Sequence, residues 1–250
     1  ITIDELRKRV MKLEEDILLE DFTQKTTTER KNLEGRILQV GAGAIGTFSA
    51  LALSLLGTKL TLVDFDRVEE TNLNRQFLFY NTIGENKAEA LSQRLRKYSG
   101  KIKPVDEKIA ENFDPRGYDF VLSCVDNTRA RYFMNQACLR YKVPLIDGGS
   151  SLSAGSAIPV IPGKTACLDC QTGFKLSEST KEDPTKRRAG ECFHPTLITP
   201  NQIVAGMMIY CLSKTLDGNY ERANYSSGSG IYYQEVNKDC FDLCQNKNGK

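Results

Sequence analysis

The apolar positions of this chain change their period several times, and each change marks a boundary. In residues 1–34, Leu6, Val10, Leu13, Ile17 and Leu18 recur at helical spacing with charged residues between them. This predicts an amphipathic helical arm, either an ordinary surface helix closing the fold or one that meets a partner. From residue 35 short apolar runs alternate with longer amphipathic stretches. Ile37, Leu38 and Val40 predict a buried strand, 44–56 a helix, and 59–64 (KLTLVD) a second buried strand. GENK at 84–87 opens an amphipathic helix with Ala88, Leu91 and Leu95 on one side and a basic outer face. Residues 102–105 and 119–124 (DFVLSC) read as further strands, 128–141 as a helix and 143–149 (VPLIDGG) as a strand leaving the sheet. The following SSLSAGSAIPVIPG alternates like an antiparallel edge, and 201–212 is an apolar helix. Strands and helices in this alternation predict an α/β domain over 35–250 with a mostly parallel sheet, helices on both faces and an antiparallel extension.

The turn between the first strand and helix refines that picture. Gly41, Gly43 and Gly46 in GRILQVGAGAIG have the G-x-G-x-x-G spacing of a Rossmann-like fold. There the first two glycines let the backbone turn and approach a phosphate, and the third lets the helix lie close to the sheet. Asp64 ends the next strand at about the 20-residue spacing where a carboxylate takes the ribose hydroxyls of a nucleotide; alternatively it caps the turn that follows. A dinucleotide-dependent dehydrogenase explains the chain equally well to this point.

Composition narrows the partners. The 250 residues are 40% hydrophobic and 26% charged, enough for a proper core, and 34 basic against 32 acidic side chains leave +2. That balance argues against a nucleic-acid or membrane-surface binder. The longest nearly apolar run, 44–57, is too short to span a bilayer. There is no secretory signal pattern, and the first residue is Ile1 rather than Met, so the numbering is compatible with a start inside a longer protein. A cytoplasmic location is expected, in which the eight cysteines serve as thiols or metal ligands rather than disulfides.

The next segments separate the dehydrogenase from another chemistry. DFDRVEETNLNRQ (64–76), with its N-x-x-R-Q group, and the G-x-x-K helix start at Lys87 resemble the ThiF/MoeB/ubiquitin-activating (E1-like) superfamily. The resemblance implies ATP-dependent adenylation: a carboxylate attacks the α-phosphate and pyrophosphate leaves. Arg75 and Lys87 would stabilise the charge that develops, beside Asn72 and Gln76. LSCVDNTRARY is again like the family, in which the Asp of such a D-N pair, here Asp126 followed by Asn127, lies by the triphosphate and holds Mg²⁺. Asp126 also fits the N-cap of the helix 128–141. Cys124 and Cys138 stand in apolar neighbourhoods and read as core.

Cys167 and Cys170 form a CxxC after a turn, and Cys240 and Cys244 form a second close pair in the tail. Two such pairs are what a closed, structural four-cysteine Zn²⁺ site requires, in agreement with family members that bear CxxC pairs in these places. The rival is a redox CxxC with unrelated tail thiols. Residues 171–199 form a long polar loop at the position of the family's crossover loop, which in many members carries the thiol that takes the acyl group. Cys192 is its sole cysteine, with Lys186, Arg187 and Arg188 placed to lower its pKa; the alternative is an incidental loop cysteine. His194, the single histidine, rules out a multi-histidine metal site and reads as a local base or a plain loop residue.

FVLSCVDN, IPGKTACLDC and RRAGECF resemble most the branch of short zinc-bearing enzymes that activate the ubiquitin-fold modifier, and their prokaryotic counterparts. The family's R-Y-x-R-Q start, whose arginine reaches the ATP of a partner subunit, is missing, and nothing chooses between Arg7, Arg9 and Arg30 as substitutes. The expected activity is adenylation of the C-terminal carboxylate of a ubiquitin-like β-grasp protein, then thioester formation on Cys192, with ATP, Mg²⁺ and Zn²⁺ as cofactors. The expected partners are that protein, a conjugating (E2-like) enzyme and a second copy of the chain. Two alternatives stand beside it: a sulfur-carrier or peptide adenylyltransferase, and a non-catalytic scaffold subunit.

Overall fold

The computed structural model describes residues 35–99, 101–173, 197–236 and 238. The expected arm at 1–34 lies outside the described residues. So do Lys186, Arg187, Arg188, Cys192 and His194 of the long loop, and the tail pair Cys240 and Cys244.

One eight-stranded sheet organises the domain, in the order β3-β2-β1-β4-β5-β6-β7-β8. Strands β1 (Arg36–Val40), β2 (Lys59–Val63), β3 (Ile102–Val105), β4 (Phe120–Ser123) and β5 (Leu145–Ser150) pair in parallel. Their apolar runs are what strands covered on both faces require. β5 stays in the sheet and is its pivot, parallel to β4 on one side and antiparallel to β6 (Ala154–Val160) on the other. The alternating segment expected at an edge is therefore interior. β6 is covered by β7 (Glu221–Ser226), which pairs in turn with β8 (Gly230–Glu235), whose six residues are all exposed.

Helices α1 (Ala44–Leu55) and α2 (Lys87–Leu95) follow crossovers that step the same way along the sheet, so right-handed connections put both on one face. There α1 packs on α5 (Ile198–Leu216), which also covers β5, β6 and β7. α5 is longer than the apolar run at 201–212, and its polar outer positions hid its ends from a reading of periodicity. The opposite face carries α3 (Thr128–Tyr141) and the short α4 (Leu168–Thr172). Ala130, Met134 and Cys138 of α3 and Leu168 of α4 bury themselves on Leu38, Val40, Val121, Leu145 and Ile158. Cys138 is core, as its neighbourhood suggested. Among the described residues no helix is long and apolar enough to cross a membrane.

The chain runs outward in opposite directions from β1 and β4, which are neighbours. That reversal opens a crevice at the carboxyl ends of the strands, the place where open α/β sheets bind ligands.

Candidate functional site

A cleft of about 870 Å³ occupies this crevice. The fold brings to it Gly41 and Gly43 from the first turn, Asp64, Asn72, Arg75 and Gln76 from the segment after β2, Lys87 from the start of α2, and Asp126 and Asn127 after β4. Gly46 is not on the cleft wall. A Cβ there would lie 2.0 Å from the Gly41 carbonyl oxygen, so this glycine serves the close approach of α1 to the strand.

Gly41 has φ +98°, and a Cβ on it would meet the Cys124 carbonyl oxygen at 2.5 Å. Only glycine turns the chain here without a clash. Its amide donates to the Val63 carbonyl at 2.8 Å, tying the turn to β2. Gly43 stands at the N-cap of α1 with nothing within 4 Å of where its Cβ would be. Among the described residues no side chain caps that helix start, so its first amides and the positive end of its dipole are left for an anion.

Asp64 is buried, and each of its oxygens accepts a backbone amide: Oδ2 from Ala42 at 2.6 Å, Oδ1 from Asp66 at 2.8 Å. It does cap the turn that follows, and it also lines the cleft with acceptor capacity left over. Burial pushes its carboxyl above the ordinary value, while the Ala42 and Asp66 amides and the Lys87 charge pull it down. Outside it, the Lys108 ammonium sits 5.1 Å from the Phe65 ring centroid, and both line the cleft with Ile109.

Lys87 is the first residue of α2 and almost wholly buried, with Nζ 3.0 Å from Asp66 Oδ2. Asn86 places it. The Asn86 side chain caps α2 by accepting from the Glu89 amide at 3.1 Å and donates to the Asp64 carbonyl at 2.9 Å. Sequence reasoning passed over Asn86, although Asn before a helical run with Glu three residues on is a start signal. The intervening segment folds as two 3-10 turns, Glu70–Asn72 and Phe77–Phe79, the second anchored by the fully buried Phe79. Asn72 Oδ1 accepts from the Glu69 amide. Arg75 Nη1 donates to the Thr71 carbonyl and to Asn74 Oδ1, which holds the guanidinium at the cleft wall. Gln76 is buried beside the cleft, and its Oε1 has no hydrogen-bond partner among the described residues.

After β4 the two readings of Asp126 separate. The N-cap of α3 is Asn127, whose Oδ1 accepts from the Ala130 amide at 2.8 Å. Asp126 is thus relieved of that task and presents an exposed carboxylate on the cleft. One turn further on, Arg131 reaches the cleft and forks onto Asp147 through Nε and Nη2, and Ser123 Oγ donates to the same carboxylate at 2.7 Å. Burial opposes the Arg131 charge, but attraction and hydrogen bonds from Asp147 outweigh it and raise its pKa. This pair was missed. The signal was Asp147 itself, an acid inside an apolar strand that must find a cation.

The cysteines divide. Cys124 floors the cleft beside Ser49 Oγ, 3.5 Å away, and burial pushes its thiol up to about 12. Cys167 and Cys170 are buried against Ala166 at the start of α4, away from the cleft. Among the described residues no group of three or more His, Cys, Asp or Glu side chains is placed to hold a metal.

A ThiF family model matches residues 13–248. SUMO-activating enzyme subunit 2 of Dictyostelium discoideum is 35% identical over 144 residues, 54% of this chain and 22% of the relative. Ubiquitin-like modifier-activating enzyme 5 of Aedes aegypti is 33% identical over 190 residues, covering 68% and 47%. The chain therefore spans about half or less of the length of these curated relatives. Among solved structures, Escherichia coli MccB aligns with a TM-score of 0.70 at 22% identity, covering 88% of this chain and 68% of that one. MccB with AMPCPP and MccA aligns at 0.67 and 21%, covering 86% and 68%. These structures share the fold.

Proposed function

Because this chain belongs to the ThiF family, we propose that it is an adenylyltransferase that activates the C-terminal carboxylate of a ubiquitin-like β-grasp protein with ATP. The observation that carries the reading is convergence: the Gly41–Gly43 turn, Arg75, Lys87 and Asp126, from four separate segments, line one cleft with Asp64 and Gln76. In this reading the phosphates lie on the amides that open α1, the ribose on Asp64 and the base toward Phe65 and Ile109. An incoming carboxylate oxygen attacks the α-phosphorus, the bond to the bridging oxygen breaks, and pyrophosphate leaves with that electron pair. Lys87 and Arg75 stabilise the charge spread over the phosphate oxygens. Asp126, with no other task, suits Mg²⁺, which binds one carboxylate together with phosphates and water. The ion would neutralise charge on the triphosphate.

Two finer steps complete the proposal. The Cys192 thiolate attacks the adenylate carbonyl, a C–S bond forms and AMP departs, leaving a thioester for a conjugating enzyme. Cys167 and Cys170, close together at a helix start, supply two thiolates toward a structural Zn²⁺ closed by Cys240 and Cys244. Metal analysis finding one zinc per chain, lost on Cys167→Ser, supports that site. A second copy of the chain or a related subunit is the proposed partner in assembly.

The test is ATP–pyrophosphate exchange that depends on the β-grasp protein. The reading expects exchange with that partner and its loss by about 10²–10³-fold on Lys87→Ala, the range for removal of one electrostatic donor. Exchange driven equally by an unrelated short peptide, or a product accumulating as thiocarboxylate, moves the assignment to a peptide or sulfur-carrier enzyme.

A further inference from the structure

Gln39 is a polar residue in the middle of β1, 0% exposed among Ile37, Leu38 and Val40. An amide there is tolerated only if its hydrogen-bonding groups are satisfied. Nε2 donates to the Gly41 carbonyl at 3.0 Å and to the Gly46 carbonyl at 2.8 Å, while Oε1 accepts from Ser49 Oγ at 2.9 Å. The missing side chain of Gly46 is what leaves room for it, since a Cβ there would stand 3.0 Å from Nε2.

The Gly41 carbonyl and the Ala42 amide belong to one planar peptide group and point in opposite directions. The carbonyl is held by Gln39, and the amide donates to Asp64 Oδ2 at 2.6 Å. One peptide is therefore gripped from both sides, by a side chain of β1 and by the carboxylate after β2. The second Nε2 bond locks the same turn to α1.

Resting on the nucleotide reading of the cleft, we propose that Gln39 is a positioning residue for the nucleotide. By fixing peptide 41–42 it sets the rotamer of Asp64 and the direction of the amides that open α1. An aliphatic residue at this position fills the strand but leaves that peptide held from one side only.

The full-length chain is titrated calorimetrically with Mg²⁺ and the ATP analogue AMPCPP, and melting temperature is recorded without nucleotide. Gln39→Met is expected to raise the analogue's Kd by about tenfold, or about 1.4 kcal/mol of binding free energy. Ser49→Ala, which leaves both Nε2 bonds in place and removes the donor to Oε1 together with the hydroxyl's longer contacts to the Ile45 and Gly46 carbonyls and Cys124 Sγ, raises it by about two- to threefold and carries the test if Gln39→Met does not fold. The decisive readout is coupling: Asp64→Asn weakens binding less in the Gln39→Met background than in the native chain, because both grips act on one peptide. A merely structural brace changes the melting temperature and leaves the two effects additive. Unchanged affinity in Gln39→Met, or in Ser49→Ala where Gln39→Met does not fold, or strict additivity, overturns the proposal. If the native chain itself does not bind AMPCPP, the nucleotide reading falls instead.

Discussion

Lys87 Nζ lies 3.0 Å from Asp66 Oδ2, with the lysine side chain 10% exposed and the aspartate 47%. The cation proposed to meet a phosphate is thus aimed by a carboxylate that water can reach. A triphosphate bound as proposed would take over as counter-ion to Lys87. Asp66→Asn should therefore lower the melting temperature of the nucleotide-free protein and enlarge the stabilisation that Mg²⁺ with ATP provides. Thermal denaturation with and without nucleotide measures both, and an unchanged ligand-induced shift would remove Lys87 from the phosphate site.

Asp126 and Asn127 are neighbours with separable tasks. Asn127 caps α3 through the Ala130 amide, so Asn127→Ala should cost about 1 kcal/mol of stability, the usual value of such a cap. Asp126→Ala touches no described hydrogen bond and should stay within about 0.5 kcal/mol of the native protein. It should nevertheless abolish Mg²⁺-dependent ATP binding. Denaturant titration beside calorimetry tests the pair. Equal destabilisation by the two changes would make Asp126 structural.

Asp64 gives opposite pH slopes for folding and for binding. Burial raises its folded carboxyl above the unfolded value, against the pull of the two amides and Lys87. Its contribution to stability is therefore fully present below the unfolded pKa and is lost as pH rises through the folded one. Nucleotide affinity should rise across that same interval, since the ionised carboxylate is the better acceptor for a ribose hydroxyl. Binding and unfolding followed from about pH 4 to about pH 7 should show both slopes, and Asp64→Asn should remove both.

The sequence announced the parallel half of this fold because buried parallel strands are short apolar runs and their helices are amphipathic, two patterns that differ in period. The antiparallel end was harder. β7 (ERANYS) is mostly polar and β8 (GIYYQE) leaves Ile231, Tyr232 and Tyr233 exposed, so neither shows a core-facing alternation, and their clearest signal was the intervening Ser-Gly-Ser turn. The site showed the same division. Gly41, Asp64, Lys87 and Asp126 were legible because their spacing follows from the chemistry of a phosphate-binding turn and from family motifs. Asn86, Arg131 and Asp147 act through partners distant in sequence, which the sheet brings together, whereas Gln39 braces the turn beside it and nothing in the strand pattern marks it. Asn127 rather than Asp126 capping α3 is a one-residue shift that periodicity does not resolve.

Cys124 is the described cysteine on the cleft, which makes it the rival to Cys192 as acyl acceptor. Its environment argues against it. Burial pushes the thiol up to about 12, Asp147 adds to the rise, and the Ser49 hydroxyl offsets only part of it. Almost no thiolate exists there near neutral pH, and the thiolate is the nucleophile. Cys192 follows Lys186, Arg187 and Arg188 in sequence, and cations beside a thiol are what favour its thiolate. Cys124→Ala is expected to leave ATP–pyrophosphate exchange and a reducible conjugate with the β-grasp protein in place, at a modest loss of stability from the space opened beside Met208. Cys192→Ala should keep exchange and lose the conjugate. Non-reducing electrophoresis of both variants decides between them, and a conjugate that survives Cys192→Ala but not Cys124→Ala would make Cys124 the acceptor.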